Sequence, residues 1–374
     1  MIEPEKIDYF KNLTIKELKK KIEDIKEELP KEERKLITFS KNFTLSLSNY
    51  CQNQCGYCFY NYKLPKFDSD ENVILISNDK IINLVQKAIQ FNCKEALLMS
   101  GERPDSFQEV NNELRNRNCT DFIQFIIDIC TYLLDFNLLP HTNIGVLNYD
   151  ELKQLKEYNA SMGLMVESTS MELFKKGRVH ELSPGKLPKK RIKHIKNAGK
   201  LKIPFTTGLL LGIGENFEDR IRDLFLIKEI HEEYGHIQEV IIQNFEYKQG
   251  IKYNPQEPFS IQELLKIAGI AKIIFENEIP VQVPPNLIPG FEKDFIDIGI
   301  DDFGGISPIT ADYINPEKPW PQIDTLKKIW QNQGYILKER LPIYNKFLKK
   351  KGFCSETIKK RIDNITIDDN FSDF

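Results

Sequence analysis

No stretch of this sequence is both apolar and long enough to cross a bilayer. The most apolar run, Phe122 to Phe136, is interrupted by Gln124, Asp128 and Asp135, whereas a spanning helix needs about 20 apolar residues in a row. The start, Met1 to Pro30, is charged and lacks the apolar stretch of a secretory leader. There is no basic surplus either: 52 Lys and Arg against 55 Asp and Glu leave a formal charge of −3, which argues against a nucleic-acid partner. No Gly-, Ser- or Pro-rich linker divides the chain, and no short repeat recurs. The expectation is a cytoplasmic protein with reduced thiols, touching neither membrane nor nucleic acid. The Asn-x-Thr matches at Asn12 and Asn42 then carry no weight. Clustered cysteines are expected to bind metal or do chemistry, not to form disulfides.

Hydrophobic residues make up 41% of the 374, enough for a sizeable core. Residues 5–35 read as charged helices broken at Pro30. Then strand and helix patterns alternate. Strands are expected at Phe43–Ser48, Glu95–Met99, Asn143–Leu147, Gly163–Val166, Thr207–Leu211 and Val240–Gln243, around Val281 and Val283, and at Phe295–Ile300. Helices are expected at Asp79–Phe91, Asp121–Phe136, Asp150–Tyr158, Lys189–Ala198, Phe217–Tyr234 and Ile261–Phe275. Such alternation implies parallel βαβ units. Eight of them close a (βα) barrel, an α/β fold whose chemistry lies in loops after the C-terminal strand ends. Residues 1–36 form a helical extension in this scheme, 37–320 the barrel, and 321–374 a helical segment and tail. The basic run Lys189-Lys190-Arg191 reads as a solvated helix face.

Polar and glycine clusters follow almost every expected strand. After the first come Cys51, Cys55 and Cys58, spaced C-x3-C-x2-C, with Tyr57 before the third. Iron–sulfur clusters usually take four cysteines, and no fourth lies nearby. Three protein ligands leave one position open, as reactive sites do. A structural Cys3His zinc site is the competing reading. Cys93, Cys119, Cys130 and Cys354 read as small apolar fillers.

Ser100-Gly101-Glu102 ends the second strand, where a glycine lets a ligand approach the backbone. Glu167 and Ser168 end the fourth. The carboxylate suits ribose hydroxyls, and Ser168 is either a cofactor contact beside it or a cap for the next helix. Gly212-Ile213-Gly214-Glu215 ends the fifth. It lacks the third glycine of a dinucleotide fold, which would fall at Phe217, and Glu215 is either a ligand contact or a cap for the next helix. Gln243 and Asn244 end the sixth strand, a pair of amides able to read a pyrimidine-like edge. Asp301 and Asp302 follow the last expected strand and suit a polyol or a proton-transfer base, or else a plain Asx turn. His141 and Asn143 stand at the third strand, His141 either a proton carrier at the barrel mouth or a satisfied structural histidine.

The cysteine triad resembles that of the radical S-adenosylmethionine (SAM) superfamily. In that family, the segment at Ser100–Glu102 holds the methionine amine and Gly212–Glu215 backs the adenine. The strings Ser100–Pro104, Pro140–Asn143, Asn159–Met165, Ser183–Lys186, Gly235–Val240 and Asp301–Pro308 look, more narrowly, like the first subunit of 7,8-didemethyl-8-hydroxy-5-deazariboflavin synthase. The likeness runs from about Ile37 to Trp320. Phe303 replaces a usual tryptophan of that family, and Tyr60 a usual phenylalanine. The resemblance implies a [4Fe–4S] cluster, S-adenosylmethionine, and a lyase step toward coenzyme F420. In it, the adduct 5-amino-5-(4-hydroxybenzyl)-6-(D-ribitylimino)-5,6-dihydrouracil loses ammonia and closes to the deazaflavin. It also implies a second subunit that makes the adduct, since fused versions carry two triads and this chain has one. An electron donor such as ferredoxin or flavodoxin is implied as well.

Overall fold

The structure, a computed structural model, describes residues 3–64 and 72–369. The ends of the two expected terminal segments, 1–2 and 370–374, lie outside the described residues.

Two helices open the chain, α1 (Pro4–Asn12) and α2 (Ile15–Lys26). Thr14 caps α2 in a reciprocal box with Glu17. Eight strands then form a closed parallel barrel: β1 (Leu36–Ser48), β2 (Glu95–Ser100), β3 (Leu139–Asn143), β4 (Ser161–Gly163), β5 (Phe205–Leu211), β6 (Ile237–Asn244), β7 (Val281–Gln282) and β8 (Asp302–Ile306). β1 closes the ring by pairing with both β2 and β8. The helices between them are α3 (Asn78–Gln90), α4 (Gln108–Asn116), α5 (Phe122–Leu134), α6 (Tyr149–Lys156), α7 (Pro188–Lys200), α8 (Phe217–Tyr234), α9 (Ile261–Phe275) and α10 (Glu292–Asp297). After α11 (Ile323–Gln331), a ninth strand, β9 (Ile336–Glu339), pairs in parallel with Leu36–Phe39 at the start of β1. α12 (Asn345–Leu348) and α13 (Glu356–Asp369) finish the chain.

Strand alternation sorts the side chains. On β1, Phe39, Phe43, Leu45 and Leu47 turn outward under the helices and are buried, each burial contributing about 2 kcal/mol. Asn42, Thr44, Ser46 and Ser48 turn into the lumen. The register carries the inward face around the ring: Leu97 and Met99, then His141 and Asn143, Gly163, Gly208 and Leu210, and Ile241 and Gln243. α1 and α2 bury Ile7, Phe10, Leu18 and Ile22 in the same core as the barrel helices.

Three expected strands move. The third runs Leu139–Asn143, so His141 is a strand residue, and 144–148 is loop. The fourth pairs only over Ser161–Gly163; beyond it the chain stays extended to a single bridge between Glu167 and Leu209. Phe295–Ile300 is no strand at all: Glu292–Asp297 is helix, and the eighth strand is Asp302–Ile306.

Candidate functional site

Because β1 ends at Ser48, Cys51, Cys55 and Cys58 fall on the loop over the C-terminal mouth of the barrel. Cys51 Sγ accepts the backbone N–H groups of Glu102 (3.2 Å) and Asn53 (3.4 Å), and Cys58 Sγ accepts that of Asn61 (3.4 Å). The loop can lie this close to β2 because residue 101 is glycine: a Cβ there would overlap the Tyr50 carbonyl and crowd Cys51. Ser100 Oγ donates to Ser48 O at 3.2 Å, fastening the same junction. Tyr60 adds a tie, with its hydroxyl 2.8 Å from Ser46 Oγ and donating to Ser48 O at 2.9 Å. Burial, with the neighbouring thiols, pushes Cys51 up to about 12. Burial pushes Cys55 up to about 11 against the pull of Lys186.

The donor set fits an iron–sulfur cluster. Three thiols share one loop, Cys55 buried and Cys51 and Cys58 half-buried, and backbone N–H groups point at two of the sulfurs, the kind of hydrogen bond that tunes such clusters. A [4Fe–4S] cluster takes one thiolate per iron, so its ligands stand apart around the cluster. Among the described residues no three Cys, His, Asp or Glu side chains converge on a single ion.

Beside the loop is a charged hub. Glu167 accepts from the Tyr57 hydroxyl and the Lys186 ammonium, and from Arg191 Nη2 at 3.3 Å; His180 Nε2 is 3.6 Å away. Burial raises the Glu167 carboxyl, and Lys186 and Arg191 more than reverse that, holding it well below the usual range. Burial, Cys55 and Glu167 all push Tyr57 up. Glu102 takes Gln52 Nε2 at 2.7 Å and the Val146 N–H at 3.1 Å, and Arg191 Nη1 lies 4.0 Å off. Gly185 packs on this carboxylate so closely that a Cβ would collide with it.

Glu215 does not cap α8. Asn216 does, in a box with Asp219. Glu215 instead folds back onto its own glycine loop, taking the N–H groups of Gly212 (2.8 Å) and Ile213 (2.9 Å) and Arg220 Nε (2.7 Å). Ser168 also turns away from the mouth. Its Oγ accepts the Ser170 N–H at 3.2 Å, and its hydroxyl serves Asp223 on α8.

Inside the lumen, His141 and Asn143 share a face two residues apart, across from Gly163, where a Cβ would stand 2.9 Å from His141 Nε2. Gln243 faces the lumen beside Leu210. Asn244 does not pair with it, because successive strand residues point opposite ways, and its amide donates to Glu246 at 2.5 Å.

Asp301 and Asp302 lie at the other end of the barrel. Asp302 begins β8 and is paired with Thr38, ten residues before Ser48 on β1, roughly 30 Å from the cysteine end at strand rise. Asp301 binds Lys272 at 2.8 Å and the Val281 N–H at 2.9 Å. Asp302, fully buried, takes Arg340 Nε at 2.6 Å and the Tyr344 hydroxyl at 2.9 Å. Arg340 Nη2 also reaches Glu239 at 2.6 Å. The two aspartates hold the barrel floor and take no part in a site at the mouth.

Arg191, read in the sequence as a solvated face, is 4% exposed and reaches the hub, while Lys189 and Lys190 are exposed. The helical period of α7 was the available clue: Arg191 shares the buried face of His194 and Ile195.

A closed parallel barrel with a three-cysteine loop after its first strand is the architecture of radical SAM enzymes. The family model described as the radical SAM superfamily matches residues 45–227. In structure, the chain is similar to HydG, a maturase of the [FeFe]-hydrogenase, with a TM-score of 0.73 and 16% identity, covering 97% of this chain and 85% of that one. That likeness bears on the fold alone. In sequence it is 48% identical over 330 residues to 7,8-didemethyl-8-hydroxy-5-deazariboflavin synthase of Methanococcus vannielii, covering 88% of this chain and 91% of the relative. It is 45% identical over 358 residues to the synthase of the same name from Methanococcus maripaludis, covering 95% and 98%. The chain belongs to the radical SAM superfamily and, within it, to the 7,8-didemethyl-8-hydroxy-5-deazariboflavin synthase family. It is therefore a radical enzyme that uses a [4Fe–4S] cluster and S-adenosylmethionine and needs an electron donor. No helix among the described residues is long and apolar enough to cross a membrane.

Proposed function

We propose that this chain is the lyase subunit that closes the deazaflavin ring of coenzyme F420, converting the hydroxybenzyl–ribitylaminouracil adduct to 7,8-didemethyl-8-hydroxy-5-deazariboflavin with loss of ammonia. The observation that carries it is near-full-length identity of 45–48% to proteins of that name. The lumen agrees in character: Leu97, Met99, Leu210 and Ile241 offer an apolar wall for a phenol ring, and Asn143, Gln243 and His141 offer polar groups for a uracil.

Cys51, Cys55 and Cys58 would hold the cluster, whose reaction with S-adenosylmethionine supplies a 5′-deoxyadenosyl radical. Ser100–Glu102, Tyr57, the Glu167–Lys186–Arg191 hub and the Gly212–Glu215 loop would bind and orient the S-adenosylmethionine. His141 has a defined task. Ser161 Oγ donates to Pro342 O at 2.6 Å, so it must accept from His141 Nδ1, 2.7 Å away. That fixes the tautomer and leaves Nε2 as a bare acceptor facing the lumen. Burial, with Arg340, pushes His141 down to about 3. It therefore accepts a hydrogen bond from substrate N–H or O–H without becoming charged. The adduct comes from a second subunit and the electron from a ferredoxin- or flavodoxin-like donor in the same proposal.

The test is a coupled anaerobic assay: reconstituted chain, dithionite, S-adenosylmethionine and the partner subunit with its substrates, read by deazaflavin fluorescence and 5′-deoxyadenosine. 5′-Deoxyadenosine without deazaflavin would leave the superfamily and remove the proposed substrate. One zinc per chain with little iron after anaerobic purification would remove the radical chemistry altogether.

A further inference from the structure

Asp223, on α8, is 1% exposed. Among the described residues no Lys, Arg or His forms an ion pair with it, and the Asp219 carboxylate one turn earlier opposes its charge. A buried carboxylate without a cation is costly to keep. Its partners are all donors from one place. The Thr169 N–H reaches Oδ2 at 3.0 Å, the Thr169 hydroxyl reaches Oδ1, and the Ser168 hydroxyl joins them. Burial pushes Asp223 up to about 7 despite these donors.

Those two residues directly follow Glu167, whose backbone is left-handed at φ +63, a conformation that side chains other than glycine hold only when the surroundings impose it. On the near side, β5 imposes it: the Glu167 N–H donates to Gly208 O at 2.9 Å, and the Leu210 N–H donates to Glu167 O at 3.1 Å. On the far side, Asp223 grips Ser168–Thr169, and the Ser170 N–H donates to Ser168 Oγ at 3.2 Å. We infer that Asp223 is a positioning residue of the S-adenosylmethionine pocket, locking the turn that aims Glu167 at Tyr57, Lys186 and Arg191. The inference rests on the assignment of the Glu167 hub to that pocket.

Three reconstituted holoenzymes decide it: wild type, Asp223→Ala and Glu167→Gln, each titrated anaerobically with S-adenosylmethionine. Asp223→Ala is expected to hold wild-type iron, because the cysteines sit on another element. It should bind S-adenosylmethionine about tenfold more weakly, with KM raised more than kcat is lowered. The change that S-adenosylmethionine causes in the electron paramagnetic resonance spectrum of the reduced cluster should also be altered. If Asp223→Ala does not fold, Asp223→Leu, which is close in size and has no acceptor for the Thr169 N–H, is judged by the same criteria. A folded, iron-replete variant with affinity within about twofold of wild type and an unchanged spectrum overturns the inference, even if its melting temperature falls. If Glu167→Gln weakens binding and the Asp223 variant does not, positioning alone fails; if both are silent, the pocket assignment fails as well.

Discussion

Cys55 is the most deeply placed of the three thiols at 4% exposure, and the Ser183 hydroxyl and Lys186 ammonium act on it. Replacing it by alanine removes one cluster ligand and leaves every hub residue in the chain. Cys55→Ala is expected to abolish both 5′-deoxyadenosine and deazaflavin; turnover retained in an iron-analysed sample would take the triad out of the mechanism. His141 offers a second test. Its folded pKa, about 3, is depressed below the ordinary 6.5. It therefore contributes stability that is fully present above pH 6.5 and is lost as pH falls toward 3. Above about pH 5 it does not titrate, so the pH profile of turnover there belongs to other groups. His141→Gln, which keeps an acceptor, should lower kcat without moving that profile. His141→Phe, which keeps none, should cost more, about 10²-fold or greater. A wild-type rate in the phenylalanine variant would make the histidine structural.

At the scale of the element, the barrel floor is the most exacting piece of construction. Burial holds Glu239 up at about 7 against the pull of Arg340, while Asp302 is closed off by Thr38, Gly304, Tyr344 and Arg340. Arg340→Leu would leave two buried carboxylates facing each other. It should destabilise the fold by about 3–5 kcal/mol, read as the midpoint of urea unfolding at neutral pH. A loss below about 1 kcal/mol would show that the pair relaxes by taking up a proton.

The same elements mark how far the sequence can be read. β1, β2, β5 and β6 were legible because their outward faces are Leu, Ile, Val and Phe and their loops carry glycine and thiol clusters. β3 was displaced because Pro140 speaks against a strand, while Ile144-Gly145-Val146 mimics one. β8 was hidden by Asp302, Gly304 and Gly305, residues that strands disfavour. There Asp302 serves the floor, and Gly304 and Gly305 leave room for Gln282 and Asn42. The cysteine loop was legible because its ligands are near neighbours in the chain. Arg340 was not, since its partners Glu239 and Asp302 are 101 and 38 residues away, and only folding brings them together.

For the whole molecule, the terminal segments pack as parts of the barrel. α2 lies on α9. Trp330 of α11 is buried in the main core beside Phe303, 6.3 Å between ring centroids. β9 extends the sheet past the ring. A chain ending at Trp320 keeps the cysteine triad and every hub residue, yet loses β9, Arg340, Tyr344 and Pro342, the acceptor that fixes the His141 tautomer. Such a truncation should fail to give soluble, iron-loaded protein. If it purifies with full iron content and still cleaves S-adenosylmethionine, the floor is dispensable for the chemistry at the mouth.

Arg340 also has a consequence in time. The chain is made from its amino end, so the cysteine loop leaves the ribosome long before the residue that seals the opposite end. Until that arginine arrives, Asp302 and Glu239 stand at the base of the tube without the cation they share. The segment carrying Arg340 thus neutralises the floor of a ring that β1 and β8 have already closed.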